Sequence, residues 1–132
     1  MPELSSFDYA VVRVVPRVER EEFINAGVIL FCGQRDYLAA RIELDEPRLR
    51  ALAPAADVAL IREHLAAIPR ICAGGPEAGP IGKLPAKERW HWLVAPRSTV
   101  IQLSPVHSGL CADPEEALQR ILDEMVWIRP RR

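Results

Sequence analysis

Three polar side chains, Arg20, Glu22 and Asn25, have the types needed to bind an anionic ligand and exchange a proton with it. An arginine holds carboxylates and phosphates through a planar pair of donors, and a neighbouring glutamate can serve as the acid of a site. The stretch comes just before an apolar run, where Asn25 and Gly27 also suit a tight turn. The alternative is a surface loop with solvated charges, and the residue types leave both interpretations open.

A second group, Arg97, Ser98 and His107, flanks a later predicted strand. A histidine flanked by serine at the end of a strand can act as a general base, while a nearby arginine binds an anionic group. The same side chains can instead satisfy the backbone groups of a loop. The nucleophile turn Gly-x-Ser-x-Gly is absent from the sequence, so the general-base hypothesis has no second motif to support it.

The sequence predicts neither a metal site nor a cofactor site. The sequence has three cysteines, Cys32, Cys72 and Cys111. They lie far apart and form no Cys-x-x-Cys motif, which argues against a zinc site. Phosphate-loop and dinucleotide-binding glycine patterns are also absent. Unpaired cysteines fit a reducing compartment. With no secretory signal and no apolar run long enough to span a bilayer, we expect a cytoplasmic protein.

Length and charge narrow the classes of function. The chain has 132 residues, of which 49% are hydrophobic and 27% are charged, and this predicts a single domain with its core at 7–126 and a basic tail at 127–132. The formal net charge of -1 argues against a nucleic-acid partner. Lysine and arginine total 17, and only Lys83 and Lys87 are lysines. This excess of arginine reflects either codon usage or a need for planar contacts to anions. A homo-oligomer remains possible.

The elements that would position these residues predict an α+β fold. Runs of β-branched and aromatic residues predict strands at Phe7–Val15, Ala26–Cys32, Tyr37–Leu44 and Arg97–Ser104. Apolar stripes and aspartate caps predict helices after Asp45, at Asp57–Ile71, at Pro85–Val94 and after Asp113. We therefore expect a mainly antiparallel sheet of about four strands with helices packed on one face. The segments 73–85 and 105–112 are predicted loops, the first long enough to be a mobile flap.

Two features of these elements are unusual. Arg13 interrupts the first strand on the face of Val11 and Val15, where a charge needs a partner. Trp90 and Trp92 point about 200° apart on a helix. One of the two is therefore expected in the core and the other at the surface or at an interface.

Two sequence blocks together resemble a small bacterial family of unknown function, number thirty thirty-seven among the catalogued domains of unknown function. The first block reads Tyr9-x-x-x-Arg13-x-x-Pro16 followed by Arg20-x-Glu22-Phe23-x-Asn25-x-Gly27-Val28. The second runs from Ser98 through Ser104-Pro105-Val106-His107-Ser108-Gly109. The resemblance covers about 8–125. It departs at Glu21, where the family pattern predicts a glycine, and the first turn is expected to differ in shape there.

The resemblance implies a context rather than an activity, because relatives are often encoded beside HipA-like kinases. It favours a non-catalytic binding or regulatory partner of another protein, with a HipA-like kinase as the expected partner. The alternative is a small enzyme or an anion-binding protein. Either function would place six residues in one binding site: Arg20, Glu22, Asn25, Arg97, Ser98 and His107. Whether the chain is an enzyme stays open at this point.

Overall fold

A computed structural model describes residues 3–97 and 99–127, and within them five strands form one antiparallel sheet. The strands are β1 (Ser5–Val14), β2 (Ile24–Cys32), β3 (Tyr37–Ile42), β4 (Ile101–Leu103) and β5 (His107–Cys111). The helices are α1 (Glu46–Leu52), α2 (Val58–Ala73), α3 (Ala86–Val94) and α4 (Pro114–Met125), and short 3-10 turns form at Val18–Arg20, Gly33–Arg35 and Pro76–Lys83. The predicted α+β class and the antiparallel sheet are confirmed.

The first strand organises the whole sheet. β2 pairs with one edge of β1 and carries β3 on its far side. The other edge of β1 is shared: its second half pairs with β4 and its first half with β5. β1 therefore lies inside the sheet along its whole length, which explains its nearly continuous apolar sequence.

Helices cover both faces of this sheet, and the prediction of helices on one face was wrong in that respect. Ala10, Val12 and Val14 pack under α2 and α3 in one apolar cluster, whereas Phe7 packs under α4 in a second cluster. Val28 and Leu30 belong to the α4 cluster, and Ile29 between them belongs to the α2 cluster. Strands that are apolar on both faces need cover on both faces. We call these the α2 face and the α4 face.

Polar contacts hold α4 against its side of the sheet. The Arg41 guanidinium donates to Gln119 Oε1 at 2.8 Å and forms an ion pair with Glu115. The Tyr37 hydroxyl donates to Glu115 Oε2 at 2.6 Å. At the far end of the helix, Asn25 Nδ2 donates to the Met125 carbonyl at 2.9 Å. Contacts at both ends fix the direction of α4 across β2 and β3.

The segment from Arg97 to Ala112 differs most from its prediction. The fourth strand is only Ile101–Leu103, and the predicted loop 105–112 contains β5. The sequence of β5, His-Ser-Gly-Leu-Cys, has little intrinsic strand preference. It becomes a strand because the first half of β1 offers an unpaired edge, which no local pattern can reveal.

Helix boundaries agree with the sequence more closely. Asp45 Oδ1 accepts from the Arg48 amide at 3.2 Å, and Asp113 Oδ1 accepts from the Glu115 amide at 3.0 Å. Both predicted caps are confirmed. Pro69 lies inside α2, which continues to Ala73 rather than ending at the proline. The segment predicted as a flap forms the 3-10 turns of Pro76–Lys83, broken at Gly79, whose φ is 72°.

The three cysteines are free, as predicted, and all three are buried. Cys72 lies in the α2 cluster, while Cys32 and Cys111 lie in the α4 cluster. Burial raises the pKa of the Cys72 thiol to about 12. The folded chain therefore keeps this thiol protonated at neutral pH. The predicted tail from 127 onward lies outside the described residues except for Trp127.

Candidate functional site

An apolar opening lies on the α2 face, between α2, the end of α3 and β4. It is a cavity of about 480 Å³, a volume typical of ligand-binding pockets. Its walls are mostly aliphatic: Pro16, Ala56, Leu60, Ile61, Ala67, Ile68, Ile71, Leu93, Val100, Ile101 and Leu103. Trp92, Arg97, Asp57, His64 and Thr99 complete the lining. We call this the α2 cavity.

The cavity follows from a mismatch between a long helix and a short strand. α2 presents Leu60, Ile61, His64, Ala67, Ile68 and Ile71 over about three turns at the spacing of one helix face. β4 opposite is only three residues long. The helix therefore extends past its cover, and Leu60 remains 48% exposed. Large exposed apolar side chains beside a cavity mark binding surfaces more often than single surface leucines do.

Arg97 and Trp92 form one edge of the α2 cavity. Arg97 donates to the Leu93 carbonyl at 2.9 Å and to the Trp92 carbonyl at 2.6 Å, so its side chain closes the C-terminal end of α3. Its guanidinium carbon lies 4.4 Å from the centre of the Trp92 ring, within cation–π range. No carboxylate among the described residues pairs with Arg97. The cavity edge therefore keeps a positive charge.

The prediction that one of the two tryptophans lies in the core and the other at the surface is confirmed. Trp90 is 3% exposed and stacks on Phe31 with 5.9 Å between ring centres, whereas Trp92 is 40% exposed. The remaining polar groups of the cavity have local partners. Asp57 caps α2 by accepting from the Leu60 amide, and the Thr99 hydroxyl donates to the Ile101 carbonyl. His64 is exposed on α2 and leaves its ring available at the cavity edge.

Arg20 and Glu22 lie together at the β1–β2 turn, where they form an ion pair with each other. The depression beside them, against Leu52 and Ala53, has a volume of about 10 Å³ and is too small for a ligand. Glu21 between them has φ 57° and ψ 16°. This left-handed conformation favours glycine, the residue that the family resemblance leads one to expect at this position.

Asn25 and His107 lie on the α4 face, away from Arg97. Asn25 of β2 pairs with Arg13 of β1, and its side-chain amide donates to the Met125 carbonyl in the last turn of α4. His107 is opposite Tyr9, with 5.3 Å between ring centres, and is exposed. Ser98 lies outside the described residues.

The expectation that these residues meet in one site is corrected by the alternation of the strands. In β4, Ile101 and Leu103 face the α2 cavity while Gln102 between them faces the other way, opposite Arg13. Arg97 is therefore separated from Asn25 and His107 by the thickness of the sheet. Of the five described residues, only Arg20 and Glu22 are in contact. Whether any of them binds a ligand or partner remains a prediction.

Much of the second sequence block has a structural role. Ser104 lies between β4 and β5, where its Oγ accepts from the Val11 amide at 2.8 Å and its own amide donates to the Val11 carbonyl at 2.9 Å. The side chain thus continues the ladder along β1 through the break. A Cβ at Gly109 would lie 2.7 Å from the Phe7 ring, so β5 can approach β1 only with glycine there.

Sequence reasoning missed the α2 cavity because its walls come from four separate stretches of chain. The sequence predicts a helix stripe of Val58, Ile61, Leu65 and Ile68, of which only Ile61 and Ile68 line the cavity. An apolar stripe says that something covers a helix face but does not say whether the cover belongs to the same chain. Arg13 is unusual in the sequence because it is a charge within an apolar strand, and in the structure its Nε is buried without a partner.

Two further observations bear on the kind of protein. Among residues 3–97 and 99–127, no three histidine, cysteine or acidic side chains are grouped to hold a metal ion. The same residues contain no helix with both the length and the apolar character of a membrane span.

Comparison with known sequences places the chain. No curated protein and no solved structure matches it. One family model does match, over residues 9–126, and the match includes both polar blocks, all of α1 to α4 and most of the sheet. Since it covers far more than half of the chain, the chain belongs to DUF3037, a family of proteins of unknown function.

Proposed function

We propose that the chain is a non-catalytic binding module whose α2 cavity receives an apolar segment of another protein. The observation that carries this proposal is the open aliphatic cavity with Leu60 and Trp92 exposed at its edge. An apolar surface of this kind gains free energy when a partner removes it from water.

The length of the cavity favours a protein segment over a small molecule. Its lining along α2 extends from Asp57 to Ile71, which at 1.5 Å per residue is about 21 Å. This is the length of a helix of three to four turns, and a groove beside a helix is a common receptor for an amphipathic helix.

The positive charge of Arg97 indicates that the bound segment of the partner carries an acidic residue. Arg97 keeps its positive charge at the cavity edge, and its guanidinium is held in place by two carbonyls and the Trp92 ring. Arginine and tryptophan are the residues most enriched in binding hot spots. We expect the partner to place an acidic side chain over Arg97 and apolar side chains in the cavity.

We propose a HipA-like kinase as the first partner to test, because the family resemblance of the sequence implies such a partner. The test combines the chain with the purified kinase from the same genome and reads complex formation by native mass spectrometry. Leu60→Glu introduces a charge at the cavity and should abolish the complex. The matched control is Leu110→Glu, which makes the same change on β5 at a leucine that is 63% exposed.

A peptide-display library tests the binding surface without assuming the partner. The immobilised chain should enrich peptides with apolar residues at helical spacing and an acidic residue at one end. Those peptides should lose binding to Leu60→Glu and keep it to Leu110→Glu. Enrichment that is equal on both variants would remove the α2 cavity as the binding site, and failure of the kinase alone would remove only that partner.

A further inference from the structure

A second and independent feature lies on the opposite side of the sheet, at Arg13. This residue is the last but one of β1 and lies inside the sheet, directly opposite Asn25 of β2 and Gln102 of β4. Its guanidinium carbon lies 4.2 Å from the centre of the Phe23 ring. An arginine at such a position is expected to be paired, since charges in a sheet interior are rarely left alone.

Arg13 has no hydrogen-bond acceptor among the described residues. Its Nε is buried without a partner, and it is the one buried side-chain nitrogen or oxygen in this part of the chain of which that is true. No described carboxylate forms an ion pair with it. The side chain as a whole is half-buried, so its terminal nitrogens reach the surface.

The polar neighbours of Arg13 do not supply the acceptor. Asn25 Nδ2 donates to the Met125 carbonyl and Gln102 Nε2 donates to the Thr99 carbonyl, and neither side-chain oxygen accepts from Arg13. The Arg13 guanidinium, a positively charged fork of donors, lies within cation–π range of the Phe23 ring.

Exposed apolar side chains lie on the same side of the sheet as Arg13. Phe23, which the guanidinium contacts, is 43% exposed, and Met125 and Trp127, at the end of α4 that Asn25 contacts, are 40% and 39% exposed. A group bound at Arg13 therefore meets a cation on the Phe23 ring, with further apolar surface at the end of α4.

We propose that Arg13 is the centre of a binding site for an oxyanion, a carboxylate or a phosphate, carried on an apolar or aromatic group. The two oxygens of either anion match the planar donors of a guanidinium. Binding would supply the acceptors that the folded chain lacks, and Phe23 and Trp127 would contact the apolar part. This site is separate from the α2 cavity and does not depend on it.

The buried Nε–H makes the test specific. Protected from exchange, it should give a resolvable nitrogen–hydrogen NMR signal, which Arg13→Lys identifies by its loss. Four probes are titrated into the complete chain: acetate, benzoate, inorganic phosphate and phenyl phosphate. The Nε–H of Arg89 is the internal control, because it already donates to the Leu84 carbonyl at 2.9 Å.

We expect the Arg13 signal to shift and the Arg89 signal to stay. The aromatic probe of each pair should bind about threefold or more tightly than its simple counterpart, because it also covers Phe23 and Trp127. Response to the two carboxylates identifies a carboxyl ligand, and response to the two phosphates identifies a phosphoryl ligand. Arg13→Lys keeps the charge but loses the fork, and its affinity, read from backbone amides, should fall about fivefold or more.

Arg120→Lys is the matched control, since Arg120 is exposed on α4 and the change is the same. It should leave the affinity unchanged. The proposal is overturned if none of the four probes moves the Arg13 signal, or if Arg89 shifts equally. It is also overturned if both lysine variants weaken binding alike. The titration of the unmodified chain decides the matter even if Arg13→Lys fails to fold.

Discussion

Arg13 on the α4 face and the arginines Arg89 and Arg97 on the α2 face are bonded in opposite ways. On the α2 face, Arg89 donates to the carbonyls of Leu84, Ile71 and Cys72, and Arg97 donates to those at the end of α3. On the α4 face, Arg13 has no acceptor at all within the described residues. An arginine that donates to helix-end carbonyls stabilises the fold, whereas one held in place without acceptors costs stability and is explained by binding.

The faces differ in packing as well. The α4 face is closed by side-chain contacts between the sheet and both ends of α4, while the α2 face keeps a cavity of about 480 Å³. The α2 face thus has an apolar cavity that no side chain fills, and the α4 face has a positive charge without an acceptor among the described residues.

The largest expected effect compares matched isoleucines. Ile121 of α4 is 4% exposed, and Ile68 of α2 is 6% exposed but lines the cavity. Ile121→Ala should lower the free energy of unfolding by about 4 kcal/mol and Ile68→Ala by about 2 kcal/mol, because an open site loses fewer packing contacts. Urea denaturation measures both, and equal losses would show that the two faces are packed alike.

Replacing the arginines by methionine should separate their roles. Arg89→Met removes several charge-assisted bonds to carbonyls and should cost about 2 kcal/mol. Arg13→Met removes a buried donor without an acceptor and keeps the apolar stem, so we expect a change within about 0.5 kcal/mol or a gain. A large loss at Arg13 in thermal unfolding would mean that its stacking on Phe23 is structural.

The pH dependence of the free energy of unfolding shows whether the Cys72 thiol on the α2 face is buried. Its pKa is raised from 9.0 to about 12 by burial, so the unfolded chain releases this proton first and the folded state loses stability as pH rises above 9. At about pH 10 the loss should be about 1 kcal/mol. Cys72→Ala should remove this part of the pH dependence. An unchanged profile would show that water reaches the thiol.

The smallest expected effect lies at the turn between β1 and β2, which belongs to neither face. Glu21 has a positive φ, and Glu21→Gly should stabilise the chain by about 0.5 kcal/mol. Glu43→Gly is the control, because Glu43 has no positive φ and should lose stability instead. Binding at the α2 cavity and at Arg13 should be the same in both variants; a change in either would tie the turn to that site.

The parts of the fold that the sequence predicts are those with local causes. Asp45 and Asp113 mark their helices through hydrogen bonds within three residues, and the apolar runs of β1 and β2 need no distant information. β5 could not be predicted, since its pairing with β1 joins residues such as Asp8 and Ser108 that are 100 positions apart. A strand made by its partner leaves little trace in its own sequence.

The candidate site was less predictable than the fold for a related reason. Residue types identified Arg20, Glu22 and His107 as chemically able, but they could not show on which side of the sheet each would lie. That depends on strand register, where a shift of one residue moves a side chain to the other face. Arg13 was recognisable because its anomaly is local: a charge within an apolar strand.

The sharing of β1 between β4 and β5 also bears on how the chain reaches its structure. β1, β2 and β3 can pair in sequence, each closing a short loop, whereas the remaining edge of β1 waits for strands that follow almost all of the helices. Closing so long a loop is entropically costly and slows folding. Before β4 and β5 pair with β1, that edge of β1 has unpaired backbone groups. The valine-rich segment Val11–Val14 is then most vulnerable to pairing with a strand of another chain.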